Sequence, residues 1–416
     1  MRKSRATLSI LLSLCLCFLA VGCTSTAKSG ADNTPTQDGG KVITIAARDG
    51  SHSDVINAVK EKFESENNCT VEVIPLSAND IHDNVISDIS NPEGIYDLIM
   101  IDDPLMPEYI EKNVLLNLTQ LGYMDDEDFV EKSRLLGKNP YPLGATYALP
   151  FSGNVQLIFY NPDLISDPGS LKTWNGILTA CEEVKASGKN GYAIRGQSGN
   201  PIVSDFLPIL WAFGGDLFNE NNKVILNSRQ SREALEFYCK LYQTGGNYDK
   251  DALIAAINNG DAAIALGWPS WFITGGGATA SIEKIPGQLS PISETFATGE
   301  IGNWLLGVTT NSKEPELALK LAIYLTSADV QREALSYGGI PTRKSVFKDD
   351  SIIAKYPYFE QIYSGTNNSR VRPRTTKWSE IENVFGAELV KCIEGSQSVE
   401  DTLKISQKAI SDLISE

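Results

Sequence analysis

Two adjacent carboxylates, Asp102 and Asp103, follow the apolar run YDLIMI, and two tryptophans, Trp268 and Trp271, follow the run AAIAL. A third, Trp304, stands beside Asn303 just before LLGV, so three of the six tryptophans fall in two short segments. Asn154 and Arg372 complete the set of candidates. Carboxylate, amide and guanidinium groups can each bond two neighbouring hydroxyls at once, and an indole offers a flat apolar face at small entropic cost. That combination suits a polyhydroxylated ligand such as a sugar, with hydroxyls around its rings and C–H faces above and below. For any single tryptophan, core packing is the commoner role, and one of Asp102 and Asp103 could cap the helical segment PEYIEK. Two adjacent acids rarely both cap, so the set carries more than its members.

Catalytic chemistries find little material. The chain has two histidines, His52 and His82, too few for a Ser-His-Asp triad or a histidine metal site spread along it. RGQSGN around Ser198 lacks the final glycine of a nucleophile elbow. Gly275 to Ala280 formally fits GxGxxA, but the following ASIEKIPG breaks at Pro286 and leaves no long helix to carry a dinucleotide. No GxxxxGK[ST] is present. A glycosidase working through two carboxylates is the serious enzymatic alternative, and sequence spacing cannot place such a pair. The expectation is a binding protein with no catalytic residue, no metal and no cofactor.

The elements that must position these residues alternate between strand-like and helix-like. VITIAA, VEVIPL, YDLIMID, LIFY, AAIAL and NWLLGV read as strands; VINAVKEKFESEN and residues 229–243, 314–328 and 380–395 read as helices. Alternation of this kind implies an α/β fold with mostly parallel sheets, and such sheets bind ligands beyond the carboxyl ends of their strands. Arg48-Asp49-Gly50-Ser51-His52, Asp102-Asp103-Pro104 and Gly267-Trp268-Pro269-Ser270-Trp271 stand at those ends. Residues 41–416 are too many for one core, since single cores stop growing near about 250–300 residues, so two domains are expected.

The first residues set the compartment. Arg2, Lys3 and Arg5 precede the apolar run Leu8–Val21, whose 14 residues are too few to span a bilayer and match a secretory leader. The leader, residues 1–22, ends in Ala20-Val21-Gly22 before Cys23; this resembles the lipobox of bacterial lipoproteins, with Ala20 where leucine is usual. An ordinary secretory leader with a chance cysteine is the alternative. Residues 23–40 contain no large apolar side chain and read as a flexible tether. The formal net charge is −16, and loss of the three leader cations leaves −19. Such an acidic chain argues against nucleic-acid binding. Cys69, Cys181, Cys239 and Cys392 show no metal-site spacing; three sit in apolar-periodic segments and read as core thiols, with disulfides left open.

Segments running from YDLIMIDDPLMPEYIEKNVLLNLT through YALPFSGNVQLIFYNPDLI, LPILWAFGGDLFNENNKVILNSRQSREALEFY, AAINNGDAAIALGWPSW and IGNWLLGVTTNSKEPELALKLAIYLTSADVQREALSYGGIPTRKSVF to RPRTTKWSEIENVFGAEL form an ordered pattern over nearly all of residues 41–416. In that pattern the chain resembles the family 1 extracellular solute-binding proteins of ABC sugar importers, the group that includes maltose- and trehalose-binding proteins. The resemblance implies a two-lobed, periplasmic-binding-protein-like fold of type II, with residues 41–151 plus 304–340 as one lobe and 152–303 plus 341–416 as the other. Crossings would fall near Ser152, Asn303–Leu305 and Ile340–Pro341, and a hinge would close the cleft on its ligand. It also implies sugar contacts from Asp102 or Asp103, Asn154, Trp268, Trp304 and Arg372, with Trp271 and Asn303 beside them. Ser152 and Ser270 stand where relatives often carry an aromatic, which leaves the sugar open; a polyol, amine or organic acid is the alternative cargo. The implied partners are the permease subunits of an ABC transporter and, through Cys23, the outer face of the cell membrane, with the protein itself a monomer.

Overall fold

The computed structural model describes residues 40–78, 80–274, 277–287 and 299–415. The leader, Cys23 and the tether lie outside the described residues.

Two five-stranded sheets organise residues 40–415. The first has the order Cys69–Leu76, Lys41–Arg48, Leu98–Asp102, Trp304–Val308, Ala148–Ser152, and the second Ser281–Glu283, Leu157–Tyr160, Ala262–Gly267, Asn190–Ile194, Gly246–Asn247. The pairing is mixed, and in the same way in both. Lys41–Arg48 runs parallel to both its neighbours, while Trp304–Val308 is antiparallel to the strands on either side. In the second sheet Leu157–Tyr160 is antiparallel to both neighbours, and the other pairs are parallel. Each sheet therefore has four strands in one direction and one against them. The opposed strand is the one by which the chain arrives from the other sheet. It enters at the carboxyl end of its new neighbours and has to run away from it, which is why the expectation of mostly parallel sheets holds for four strands of five.

Burial explains the sequence texture. In LIFY the side chains alternate between two cores: Ile158 and Tyr160 pack with Trp174, Phe206 and Leu389, whereas Leu157 and Phe159 face Leu253, Phe272 and Phe359. A strand covered on both faces reads as an unbroken apolar run. The first sheet has its own core, in which Ile43, Ile45, Leu98 and Met100 meet Val55, Val59 and Phe63 of the helix Ser51–Asn67. That helix stops at Asn68, which takes a left-handed conformation (φ 49°) that asparagine tolerates better than most residues. The helix Arg229–Thr244 starts on Ser228, whose hydroxyl accepts from the amide of Ser231 at 3.1 Å.

One expectation is corrected. The helix read over 314–328 is two helices, Pro315–Leu325 and Ala328–Ala334, because the Ser327 hydroxyl accepts from the amide of Val330 and opens a new first turn. As the sequence implies, the GxGxxA match leads into no long helix: Ile273–Thr274 pairs antiparallel with Gly277–Ala278. All four described cysteines are free thiols; Cys181 and Cys392 are buried, Cys69 and Cys239 only partly, and the sulfurs of Cys239 and Cys392 lie 3.8 Å apart, in contact without a bond.

Between the sheets the crossing segments lie side by side. The Gly153 amide donates to the Ile340 carbonyl at 3.0 Å, and that of Gly302 to Asn154 at 3.1 Å. Ile301 bridges Val155 and donates to the carbonyl of Arg370 at 2.9 Å. The crossings thus form a hydrogen-bonded ribbon rather than a set of loose linkers.

Candidate functional site

A cleft of about 780 Å³ opens over the carboxyl ends of both sheets. Its walls include Arg48, Asp102 and Trp304 from the first sheet and Arg195, Trp268 and Trp271 from the second, with Asn154 and Gly302 of the crossings between them. Six of the eight residues singled out in the sequence line it.

Asp102 ends its strand, and the register sets Trp304 opposite Asp102 on one side and Ser152 on the other, so three strands deliver these side chains to one edge. Arg372 bonds the Asp102 carboxylate with two nitrogens, at 2.5 and 3.2 Å, and Asp103 at 3.0 Å. Burial alone would lower the guanidinium, but the carboxylates of Asp102 and Asp103 outweigh it and hold Arg372 well above its ordinary value. Asp102 keeps about a quarter of its side chain exposed, whereas Asp103 is fully buried. The doubt between the two acids therefore has a geometric answer: Asp102 is on the wall and Asp103 behind it. Burial pushes the Asp103 carboxyl up to about 6, against the pull of Arg372.

Asn303 is likewise behind the wall. It is fully buried, its carbonyl accepts from the Asp103 amide at 3.2 Å, and its side-chain amide has no hydrogen-bond partner among the described residues. Asn154 is buried but reaches the cleft, and Ser270 occupies both ends of its amide, at 3.1 and 3.3 Å. That pair ties a crossing to the loop that carries the tryptophans. The Arg195 guanidinium lies 5.0 Å from the ring centroid of Trp271, a cation–π distance that covers one face of this indole. Trp304 packs near His52, ring centroids 5.9 Å apart.

Sequence reasoning placed Arg48 and His52 at a strand end without making them candidates and missed Arg195 and Glu382. His52 is 8% exposed, with Nε2 unpartnered, and is pushed down to about 3 by burial and then by the charges of Arg48 and Lys250. Glu382 accepts from Asn200 at 2.8 Å, and burial raises its carboxyl to about 7. Behind the wall, Glu300 accepts from the Ser204 hydroxyl and burial raises it to about 8. The signal for Arg195 was available, since it directly follows the strand Asn190–Ile194, which the apolar pattern did not single out. Glu300 and Glu382 gave no such signal, because an acid in a polar stretch reads as solvated.

Residues 49–332 match the family model described as bacterial extracellular solute-binding protein. A probable ABC transporter-binding protein of Deinococcus radiodurans is 25% identical over 59% of this chain; the match spans 63% of that relative's length. The maltodextrin-binding protein MdxE of Bacillus subtilis is 25% identical over 74% of each chain. Among solved structures, maltose-bound MalE3 of T. maritima superposes with a TM-score of 0.80 at 24% identity, covering 89% of this chain and 99% of its own. The fold is that of the two-lobed periplasmic sugar-binding proteins, and the chain belongs to the bacterial extracellular solute-binding proteins.

Proposed function

We propose that this protein is the solute-binding component of an ABC importer, that its cargo is a sugar, and that the cleft encloses the cargo between two lobes and presents it to the permease. The carrying observation is convergence: groups that bond hydroxyls and groups that stack on rings come from both sheets to one cleft of ligand size. A ligand can draw two lobes together only by binding the closed state better than the open one, so contacts on both sides are required. The lobes in this reading are residues 41–151 with 304–340 and residues 152–303 with 341–416. Trp268 and Trp304 stack on the sugar; Asp102, oriented by Arg372, and Asn154 bond its hydroxyls; Trp271, Asn303 and Asp103 hold those groups in place.

The protein acts as a monomer on the outer face of the cell membrane, held by lipid on Cys23 through the tether of residues 23–40. It catalyses no reaction. Asp102 is committed to Arg372, and the raised carboxyls of Glu300 and Glu382 are held by Ser204 and Asn200. A thermal-shift screen of the purified protein against mono-, di- and trisaccharides, with polyols and amino acids as controls, tests the reading. A cargo sugar at about a hundred times its dissociation constant adds about 2.7 kcal/mol of stability. Shifts with amino acids alone, and with no sugar, overturn it.

A further inference from the structure

The cleft holds cations that hydroxyl recognition does not use. Arg48 closes the first strand of the first sheet, Arg195 directly follows the strand Asn190–Ile194, and Lys250 opens the helix that comes after Gly246–Asn247. All three line the cleft, one from the first sheet and two from the second. Lys250 is pulled below its ordinary value by burial and then by the charge of Arg48, with Arg195 acting the same way. Lys250 is therefore near enough to both arginines for their charges to repel it.

The acids of the cleft are mostly bonded elsewhere, although Asp102 and Asp251 act on Arg48, and Asp205, Glu300 and Glu382 on Arg195, through space. Asp102 is taken by Arg372, and Asp249 spends its carboxylate on the Ala252 amide at 2.8 Å. Glu382 is bonded to Asn200, and Asp83 to His82. Among the described residues no carboxylate stands within 4.0 Å of the Arg195 guanidinium, and Lys250 reaches only the exposed Asp251, at 3.9 Å. Arg48 has its neighbour Asp49. His52, more than nine-tenths buried, also lines the cleft and feels the charges of Arg48 and Lys250. Like charges that face each other across a hinge oppose its closing, and an anion set between them reverses the sign of that contribution.

We infer that the cargo is an acidic sugar, whose acid group sits among Arg48, Lys250 and Arg195. The inference rests on the sugar-binding reading above and narrows its substrate class. Arg48 grips from one lobe and Lys250 from the other, so the acid group couples binding to closure.

Calorimetry of the purified protein with matched probes tests this: D-glucose, D-glucuronate and glucose 6-phosphate, and the corresponding galactose set. The expected result is an acid bound at least about tenfold tighter than its neutral parent, the worth of one charge-assisted hydrogen bond. The carboxylate and phosphate arms tell which acid group is preferred. In Lys250→Gln, an exposed position that folding tolerates, the preference shrinks about tenfold while neutral-sugar affinity stays within about twofold. A neutral parent bound as tightly as its acid overturns the inference and leaves the sugar reading standing. Binding of no sugar, neutral or acidic, overturns both.

Discussion

Gly302 packs close against the indole of Trp268: a Cβ placed on Gly302 would stand 2.4 Å from the edge of its six-membered ring. The crossing segment thereby sets the angle at which Trp268 faces the cleft. A methyl group at residue 302 meets an aromatic ring that has to move. Gly302→Ala is expected to weaken ligand binding about tenfold, and Trp268→Ala at least as much, with melting temperatures within about 3 °C of the parent. Calorimetry alongside thermal melts separates the two effects. Unchanged affinity in both variants removes Trp268 from the site.

Arg372→Met leaves two carboxylates facing each other in a nearly dry place. Removing one partner of a buried ion pair costs about 3–5 kcal/mol, here divided between Asp102 and Asp103. Urea unfolding should register a loss of that order, with ligand affinity falling as well because Asp102 loses its orientation. A variant of parental stability contradicts the description of Arg372, Asp102 and Asp103 as a buried ion cluster.

Glu300 makes stability depend on pH in a stated direction. Its carboxyl ordinarily titrates near 4.5 and in the fold near 8, so between those values the folded chain holds a proton that the unfolded chain has released. Stability is then fully present below about pH 4.5 and declines as pH rises through about 8. Glu382, raised to about 7, adds to the same slope. Glu300→Gln keeps the shape and removes the charge. It should raise stability at pH 8.5 by on the order of a few kcal/mol and change little at pH 5. Melting temperatures of both proteins from pH 5 to 9 check this, and parallel curves refute it.

Gly153 permits close approach of two crossings. A Cβ there would fall 2.1 Å from the carbonyl oxygen of Pro341, which is backbone and cannot swing aside. Gly153→Ala is expected to cost about 1–3 kcal/mol in urea unfolding and to break the Gly153–Ile340 hydrogen bond. Faster exchange of the Gly153 amide would report the break, and a parental exchange rate would refute it.

What could be read from the residues follows from locality. Asp102 was legible because an acid that ends an apolar strand sits where α/β sheets put ligands. The tryptophans were legible because three of six share two loops. The choice between Asp102 and Asp103 was not, since burial of one neighbour and exposure of the other depends on strand direction and on Arg372, some 270 residues further on. Arg195 was hidden by a different cause: its segment, RGQSGN, drew attention as a defective nucleophile motif, and its stacking partner Trp271 is distant in sequence. The break at Ser327 shows the limit of periodicity, which sees the apolar face continue while a hydroxyl restarts the helix.

In the closure proposed above, the ribbon of crossings decides where the work of closing is done. Strands bonded edge to edge turn about an axis that runs through them, and atoms on an axis scarcely travel. Asn154, Gly302 and Trp304 therefore show a ligand nearly the same floor whether the jaws stand apart or together. A molecule that touched the floor alone would bind and leave the jaws ajar. Leverage belongs to groups far out on the arms, so two solutes of equal affinity can differ entirely in whether they shut the molecule. For a transporter that accepts only the shut form, grip on the floor governs occupancy, and grip at the rim governs delivery.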